Sequence, residues 1–232
     1  MKTRICDYIY KLNMIQPPPL GPEQIKQLKQ SIELLSKLID RGIKGVPPLS
    51  SAEKLANDYL DNPSYPDLRS KIEALAKWET RKNFTSGFLS SLGGVLSLPL
   101  AIPSSLVANW LIQTRMSASI AAVAGFDINE PSVRTAIAVS LLGKRAKEVF
   151  DTDLAHLEQV LKKQSHQIPK GFLSQINRTV AQILVKKATQ KGFTRLSKAV
   201  PILGGMTGGL LDYYSAKETA DFAIELFAPK NG

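Results

Sequence analysis

A chain of 232 residues contains one cysteine, Cys6, and two histidines, His156 and His166, so the side chains most used in redox and transition-metal chemistry are scarce. A lone cysteine closes no internal disulfide, and so sparing a use of the residue points to a reducing compartment. A Cys-rich zinc centre and a three-His site are both out of reach. The nearest approach to a ligand cluster, Asp151, Asp153 and His156, has the spacing of a helix N-terminus with its caps, and is read that way rather than as a metal site. No metal and no cofactor is expected. A Gly-x-Ser-x-Gly elbow is also missing. Gly87, Ser90, Ser91 and Gly93 have the wrong spacing for one, so the two serines read as small packing residues. The glycines near the C-terminus lack the Gly-Lys-Ser/Thr ending of a phosphate loop and follow no strand pattern.

Charge is absent where its absence matters most. Between Lys82 and Arg115 lie 32 residues with no ionisable side chain, and Ala199 to Leu211 repeats the feature on a shorter scale. Such stretches must be hidden in a core or in lipid. A single transmembrane span is disfavoured. A helix needs about 20 consecutive apolar residues to cross a bilayer core, whereas Pro99 cuts the first run to 16, diluted by serine and glycine. Packing in the core of a globular protein is the expected state, with a hairpin dipping into one leaflet as the alternative. The first twenty residues lack a continuous apolar stretch and a small-residue cleavage site, so secretion is not expected.

Acidic residues disappear next. None occurs between Glu158 and Asp212, while Lys162, Lys163, Lys170, Arg178, Lys186, Lys187, Lys191, Arg195 and Lys198 fall in that interval. Residues 144–198 hold 12 basic against 4 acidic side chains, which accounts for most of the net charge of +10. A block of this kind favours an anionic surface, phospholipid or nucleic acid, over a neutral partner; its bland reading is a solvated helix face. Only Phe172 and Phe193 punctuate the basic run, so base stacking has little support and nucleic acid is a disfavoured partner.

What is present is helical periodicity, with no convincing strand and no internal repeat. The expected fold is all-α: a multi-helix globular bundle with the two small-residue-rich apolar segments packed centrally. Ile25, Leu28, Ile32, Leu35 and Ile39 are spaced as one helix face, entered through Gly21-Pro22 and closed near Gly42. Ser50 and Glu53 have capping-box spacing before a second helix. Asp67 is placed to cap a third, with Leu68, Ile72, Leu75 and Ala76 inward, ending around Asn83. After Pro103 a helix runs through Trp110 and Arg115 to Gly125. Asn129 and Pro131 open the next, which is expected to continue through Leu141 towards Phe150. A shorter helix covers Leu154 to Lys163. Pro169 begins a long basic one with Leu173, Ile176, Val180 and Ile183 inward and Lys187, Lys191, Arg195 and Lys198 along one stripe. The last carries Gly204, Gly205, Gly208 and Gly209, read as helix-packing positions, then Tyr213, Ala216, Ala220, Ala223 and Phe227. Glycine costs a helix interior roughly 1 kcal/mol relative to alanine, so four in six positions imply a compensating close approach. Residues 1–82 form an N-terminal helical region and 83–232 a second region, expected to be one continuous unit with the first.

From about Ala74 to Phe227 the order of these features resembles the EcsC family of bacterial proteins. The resemblance is carried by Gly87 with Gly93-Gly94, Leu98-Pro99, Ile102-Pro103, Gln113-x-Arg115, Ile120-Ala121, Gly125-Phe126-Asp127, Pro131-x-x-Arg134 and Pro201-x-x-Gly204-Gly205-x-x-Gly208-Gly209. The chain departs from the family pattern at Ala101, Ala124 and Asp212, where an acidic residue, an aromatic residue and an asparagine are usual. The resemblance implies an α-helical protein linked to the cell envelope, some relatives being encoded beside ABC-transporter components. It implies no reaction.

Arg115 is the only charge between Lys82 and Asp127. An arginine keeps its charge, so once enclosed it requires a carboxylate or phosphate. Asp127 and Asp212 are the expected internal partners; the alternative is an anionic-ligand or lipid-binding site of Arg115 with Arg134, to which Lys187, Lys191, Arg195 and Lys198 add a basic face. The sequence thus points to a non-enzymatic helical protein, cytoplasmic and peripheral at the inner face of the cell membrane, accessory to an envelope or transport system, whose partner is an anionic membrane surface or a membrane protein. Alternatives are a soluble helical interaction module, a nucleic-acid binder and an unrecognised hydrolase. The oligomeric state is not legible.

Overall fold

The computed structural model describes residues 21–82, 102–163, 168–169, 171–189 and 204–229. These residues form eight α-helices and no strand: α1 Pro22–Lys44, α2 Ala52–Leu60, α3 Leu68–Lys82, α4 Ser104–Val123, α5 Pro131–Ser140, α6 Arg145–Lys163, α7 Phe172–Thr189 and α8 Gly204–Phe227. The protein is all-α, as expected.

The axis of the bundle is α4. It touches α1, α2, α3, α5 and α8, while α7 packs on α1 and α5, and α6 on α5. Its sequence explains the position: apolar and small residues occur all round the helix rather than along one stripe, which marks an enclosed helix. Trp110, Leu111, Ile112, Met116 and Ile120 are all fully buried, and each such large side chain stabilises the fold by about 1.5–3 kcal/mol relative to exposure. One contiguous buried cluster draws side chains from all eight helices. Residues 107–114, the last quarter of the long uncharged run, are therefore core. Ile102, at its margin, is half-buried and packs against that core. Leu96, Leu98, Leu100 and the rest of 83–101 lie outside the described residues.

Several local readings need correction. In α1 the buried face consists of Ser31, Leu34, Leu35, Leu38, Ile39, Gly42 and Ile43, whereas Ile25 and Ile32 are 41% and 40% exposed. The two isoleucines sit on the flank, because the row through Leu34, Leu38 and Gly42 makes the close approach to α4. Gly42 does not close the helix, which continues to Lys44. A Cβ at Gly42 would lie 2.5 Å from Thr114 Cγ2 and 3.1 Å from the Arg115 backbone nitrogen. Glycine is used there for contact between backbones rather than for termination.

The N-cap of α2 is Ser51, whose side chain accepts from the Lys54 amide at 3.1 Å, and not Ser50. Asp67 caps α3 as expected, accepting from the Ser70 amide at 2.8 Å. Glu130 occupies the N-cap position of α5 without a side-chain capping hydrogen bond, and Pro131 lies in its first turn; Asn129 instead donates its amide to Asp127 Oδ1 at 2.9 Å in the preceding turn. The expected helix from Pro131 towards Phe150 is interrupted. α5 ends at Ser140, and the turn after it contains Gly143 at φ 57°, with Glu218 Cβ 2.8 Å from where its Cβ would be. The boundary expected before Leu154 is a break inside one element, at Asp151 (φ 24°, ψ −99°).

Candidate functional site

Polar side chains in α4 are buried on three sides, and each group meets a different neighbour. On one side Asn109 Nδ2 donates to Asp212 Oδ1 at 2.8 Å, and Gln113 Nε2 donates to Asn109 Oδ1 at 2.8 Å and to Ser215 Oγ at 3.2 Å. Thr219 Oγ1 donates to Gln113 Oε1 at 2.9 Å, which completes a hydrogen-bonded seam between α4 and α8. Towards α5, Ser140 Oγ and Ser117 Oγ are 2.8 Å apart. Towards α2, Ser119 Oγ donates to the carbonyls of Ala52 and Arg115 at 3.0 and 2.9 Å. Buried polar groups are costly when unpaired, and here the pairing fixes which helix faces which.

Arg115 is 4% exposed. Its Nη1 donates to Glu79 Oε2 at 2.7 Å, its Nε to the Ser50 carbonyl at 2.7 Å, and its Nη2 to Ser50 Oγ at 3.2 Å. The partner carboxylate is thus Glu79 on α3, rather than Asp127 or Asp212. Ser50, left free by Ser51's capping of α2, closes the guanidinium's second side. Glu79 was visible in principle: Ile72, Leu75, Ala76 and Glu79 follow one helical row, so a charge lies on a buried stripe. Burial and then the negative charge of Glu79 push the Tyr59 hydroxyl up to about 12, with Arg115 opposing. Arg134 does not join Arg115 in a site; it pairs with Asp40 of α1. Asp212 is half-buried, and that burial raises its carboxyl above the ordinary aspartate value against the hydrogen bond from Asn109.

The basic face is represented by α7. Ile176, Val180, Ala181 and Leu184 are buried, while Arg178, Lys186 and Lys187 are exposed; Arg178 and Lys186 lie off the buried row, and Lys187 extends that row at the C-terminal end of the helix. None of the three forms an ion pair among the described residues, whereas Lys37, Lys147, Lys162 and Lys217 elsewhere on the surface each have a carboxylate within 4 Å. The protein packed around the Lys187 ammonium pulls its pKa down; Glu218 opposes this and Arg145 adds to it. Because the side chain as a whole remains open to water, that shift has little weight for stability. Lys191, Arg195 and Lys198 lie outside the described residues. Gly204, Gly205, Gly208 and Gly209 occupy the first turns of α8.

No helix among the described residues is long and apolar enough to cross a membrane. Compared with protein-family models, curated proteins and solved structures, the chain matches none. The likeness to the EcsC pattern rests on the residues quoted above.

Proposed function

We propose that this chain is a non-enzymatic, peripheral membrane-associated protein of the EcsC type that contacts anionic lipid, or a membrane partner, through its basic segment. The carrying observation is the set of exposed cations on α7. Arg178, Lys186 and Lys187 are exposed without an ion pair among the described residues, and the sequence adds Lys191, Arg195 and Lys198 beyond them. Each lysine or arginine near an anionic bilayer contributes about 1 kcal/mol, so five or six act as a reversible, salt-sensitive attachment. The enclosed α4 favours attachment over insertion of that helix: its apolar surface is already used by five neighbouring helices.

Liposome flotation tests the reading. The protein should float with vesicles containing anionic lipid at low salt, remain behind with neutral vesicles, and be released as ionic strength shortens the reach of the charges. Equal failure with both vesicle types at low salt would dismiss it.

A further inference from the structure

A cleft of about 440 Å³ lies between α3 and α8, lined among others by Arg69, Lys77, Arg81, Tyr213 and Lys217. It exists because its floor is made of small side chains: Ala76 and Ala220, 5% and 3% exposed, let the long residues of the two helices stand apart as walls. Four of the lining side chains are cationic and two, Glu73 and Asp221, are anionic. Both carboxylates are already engaged within their own helices, Glu73 with Arg69 at 2.6 Å and Asp221 with Lys217 at 2.7 Å. Lys77 and Arg81 have no carboxylate partner among the described residues and are one helical turn apart, so their side chains reach into the same space.

We infer that the α3–α8 cleft is a binding site for a phosphate-bearing anion, gripped by Lys77 and Arg81 with Lys217 and the Tyr213 hydroxyl opposite. The charge balance favours that ligand class: the engaged pairs leave two uncompensated positive charges, which match a phosphomonoester or pyrophosphate group. Arg81 supplies a planar fork for two phosphate oxygens and Lys77 a point charge beside it. Tyr213 adds a neutral donor, and its ring is braced edge-on by Tyr214 at 5.8 Å. Thr80, also in the lining, is committed elsewhere, its hydroxyl pointing at Met116 Sδ 3.7 Å away. The site is separate from the cation face of α7 and holds whether or not that face meets a membrane.

The test titrates the full chain with sodium pyrophosphate in the absence of lipid, following amide and side-chain NMR signals, and separately measures its retention by phosphatidylcholine vesicles doped with phosphatidic acid against charge-matched vesicles doped with phosphatidylglycerol. Saturable movement of the Lys77, Arg81, Tyr213 and Lys217 signals, weakened at least about tenfold in Lys77→Ala/Arg81→Ala, supports a soluble phosphate ligand. A preference for phosphatidic acid that this variant loses supports a lipid headgroup. Should that variant fail to fold, Lys77→Gln/Arg81→Gln takes its place, and the signal movements in the unmodified protein still decide. Absence of both responses, or responses unchanged in the variant, overturns the inference. Flotation in the salt series is scored separately, so failure of the cleft and failure of the α7 reading are distinct results.

Discussion

Arg115 and Glu79 form an ion pair 2.7 Å long with side chains 5% and 1% exposed, joining the central helix α4 to α3 at a point where water does not reach. A buried pair of this kind is strongly asymmetric in its energetics. Removing one partner deprives the other charge of its buried counter-ion, at a cost of about 3–5 kcal/mol, whereas replacing both with apolar groups of similar volume is often neutral. The expected outcome is that Arg115→Met and Glu79→Leu each lower the denaturation free energy by about 3–5 kcal/mol, while the double variant loses less than either single one. A double-mutant cycle in urea measures this. If the double variant loses the sum of the single effects, the two side chains do not depend on each other.

Gly42 and Thr114 mark a close approach of α1 to α4. Gly42→Ala removes a helix-weakening glycine, which alone is worth up to about 1 kcal/mol. The added Cβ, however, would lie 2.5 Å from Thr114 Cγ2 and 2.8 Å from its Cβ, in a packed core. Overpacking of that type costs about 1–3 kcal/mol, so the net effect should be destabilising. Thr114→Ser in the same chain removes the nearer of the two contacts and should restore part of the loss. Denaturation midpoints of the three variants check the ordering; a Gly42→Ala variant as stable as the parent would show that the helices can move apart without cost.

These two sites also show how far the sequence was legible. All-α architecture and the approximate placement of most described helices could be read from periodicity and from punctuation by proline and glycine, because those signals are local. The near absence of charge in α4 required it to be hidden from water, but left core and lipid as alternatives. What could not be read was which local signal a neighbouring helix would override. Ser50 and Ser51 are equivalent by spacing, yet one caps α2 and the other holds Arg115, a choice made by a guanidinium 65 positions away. Gly42 had the appearance of a stop signal, and only the proximity of Thr114 makes it a contact. Ile25 and Ile32 fit the apolar stripe of α1, but the face used is set by α4 and α7. On the candidate site, sequence indicated the cation excess of α7. It could not indicate the α3–α8 cleft, whose walls come from residues more than 130 positions apart.

Asp212 should give the fold a distinctive pH dependence. Its carboxyl is raised by burial, so the folded state binds its proton more tightly than the unfolded chain does. Stability from this group is then fully present below the ordinary aspartate value of 3.8 and declines as pH rises from there through the higher folded value. Asp212→Asn keeps an oxygen for Asn109 Nδ2 and removes the titration. The variant should be more stable than the parent at pH 7, with the difference vanishing in acid below that ordinary value. Thermal melts across pH read it out; a stability difference that grows on acidification would reverse the assigned sign.

Gln113 is the junction of the α4–α8 seam, since it donates to Asn109 and Ser215 and accepts from Thr219. Gln113→Leu preserves approximate volume but leaves those groups to find other partners in a site closed to water. An unsatisfied buried group costs about 1–3 kcal/mol, so the loss should exceed 2 kcal/mol, roughly, given several groups affected. Gln113→Glu is a sharper probe. A carboxylate there would retain an acceptor for Thr219 but could not donate to Asn109, and would place a second acid in the same seam as Asp212. That variant should be destabilised more at pH 7 than at acidic pH, where a protonated carboxyl regains a donor. Equal destabilisation at both pH values would mean that the seam contributes through shape and not through its hydrogen bonds.

His156 offers the opposite expectation. Its Nε2 is buried without a hydrogen-bond partner among the described residues, and its ring meets Phe172 edge-on at 4.8 Å, so α6 holds it against the start of α7 chiefly as an apolar body. His156→Phe keeps an aromatic ring in that contact and removes the unpaired nitrogen, whose burial costs about 1–3 kcal/mol. The substitution should leave the protein at least as stable as the parent, with a gain of up to about 1 kcal/mol after allowance for the larger ring. Chemical denaturation gives the comparison directly. A loss above about 1 kcal/mol would show that the imidazole is held by an interaction which a phenyl ring cannot replace.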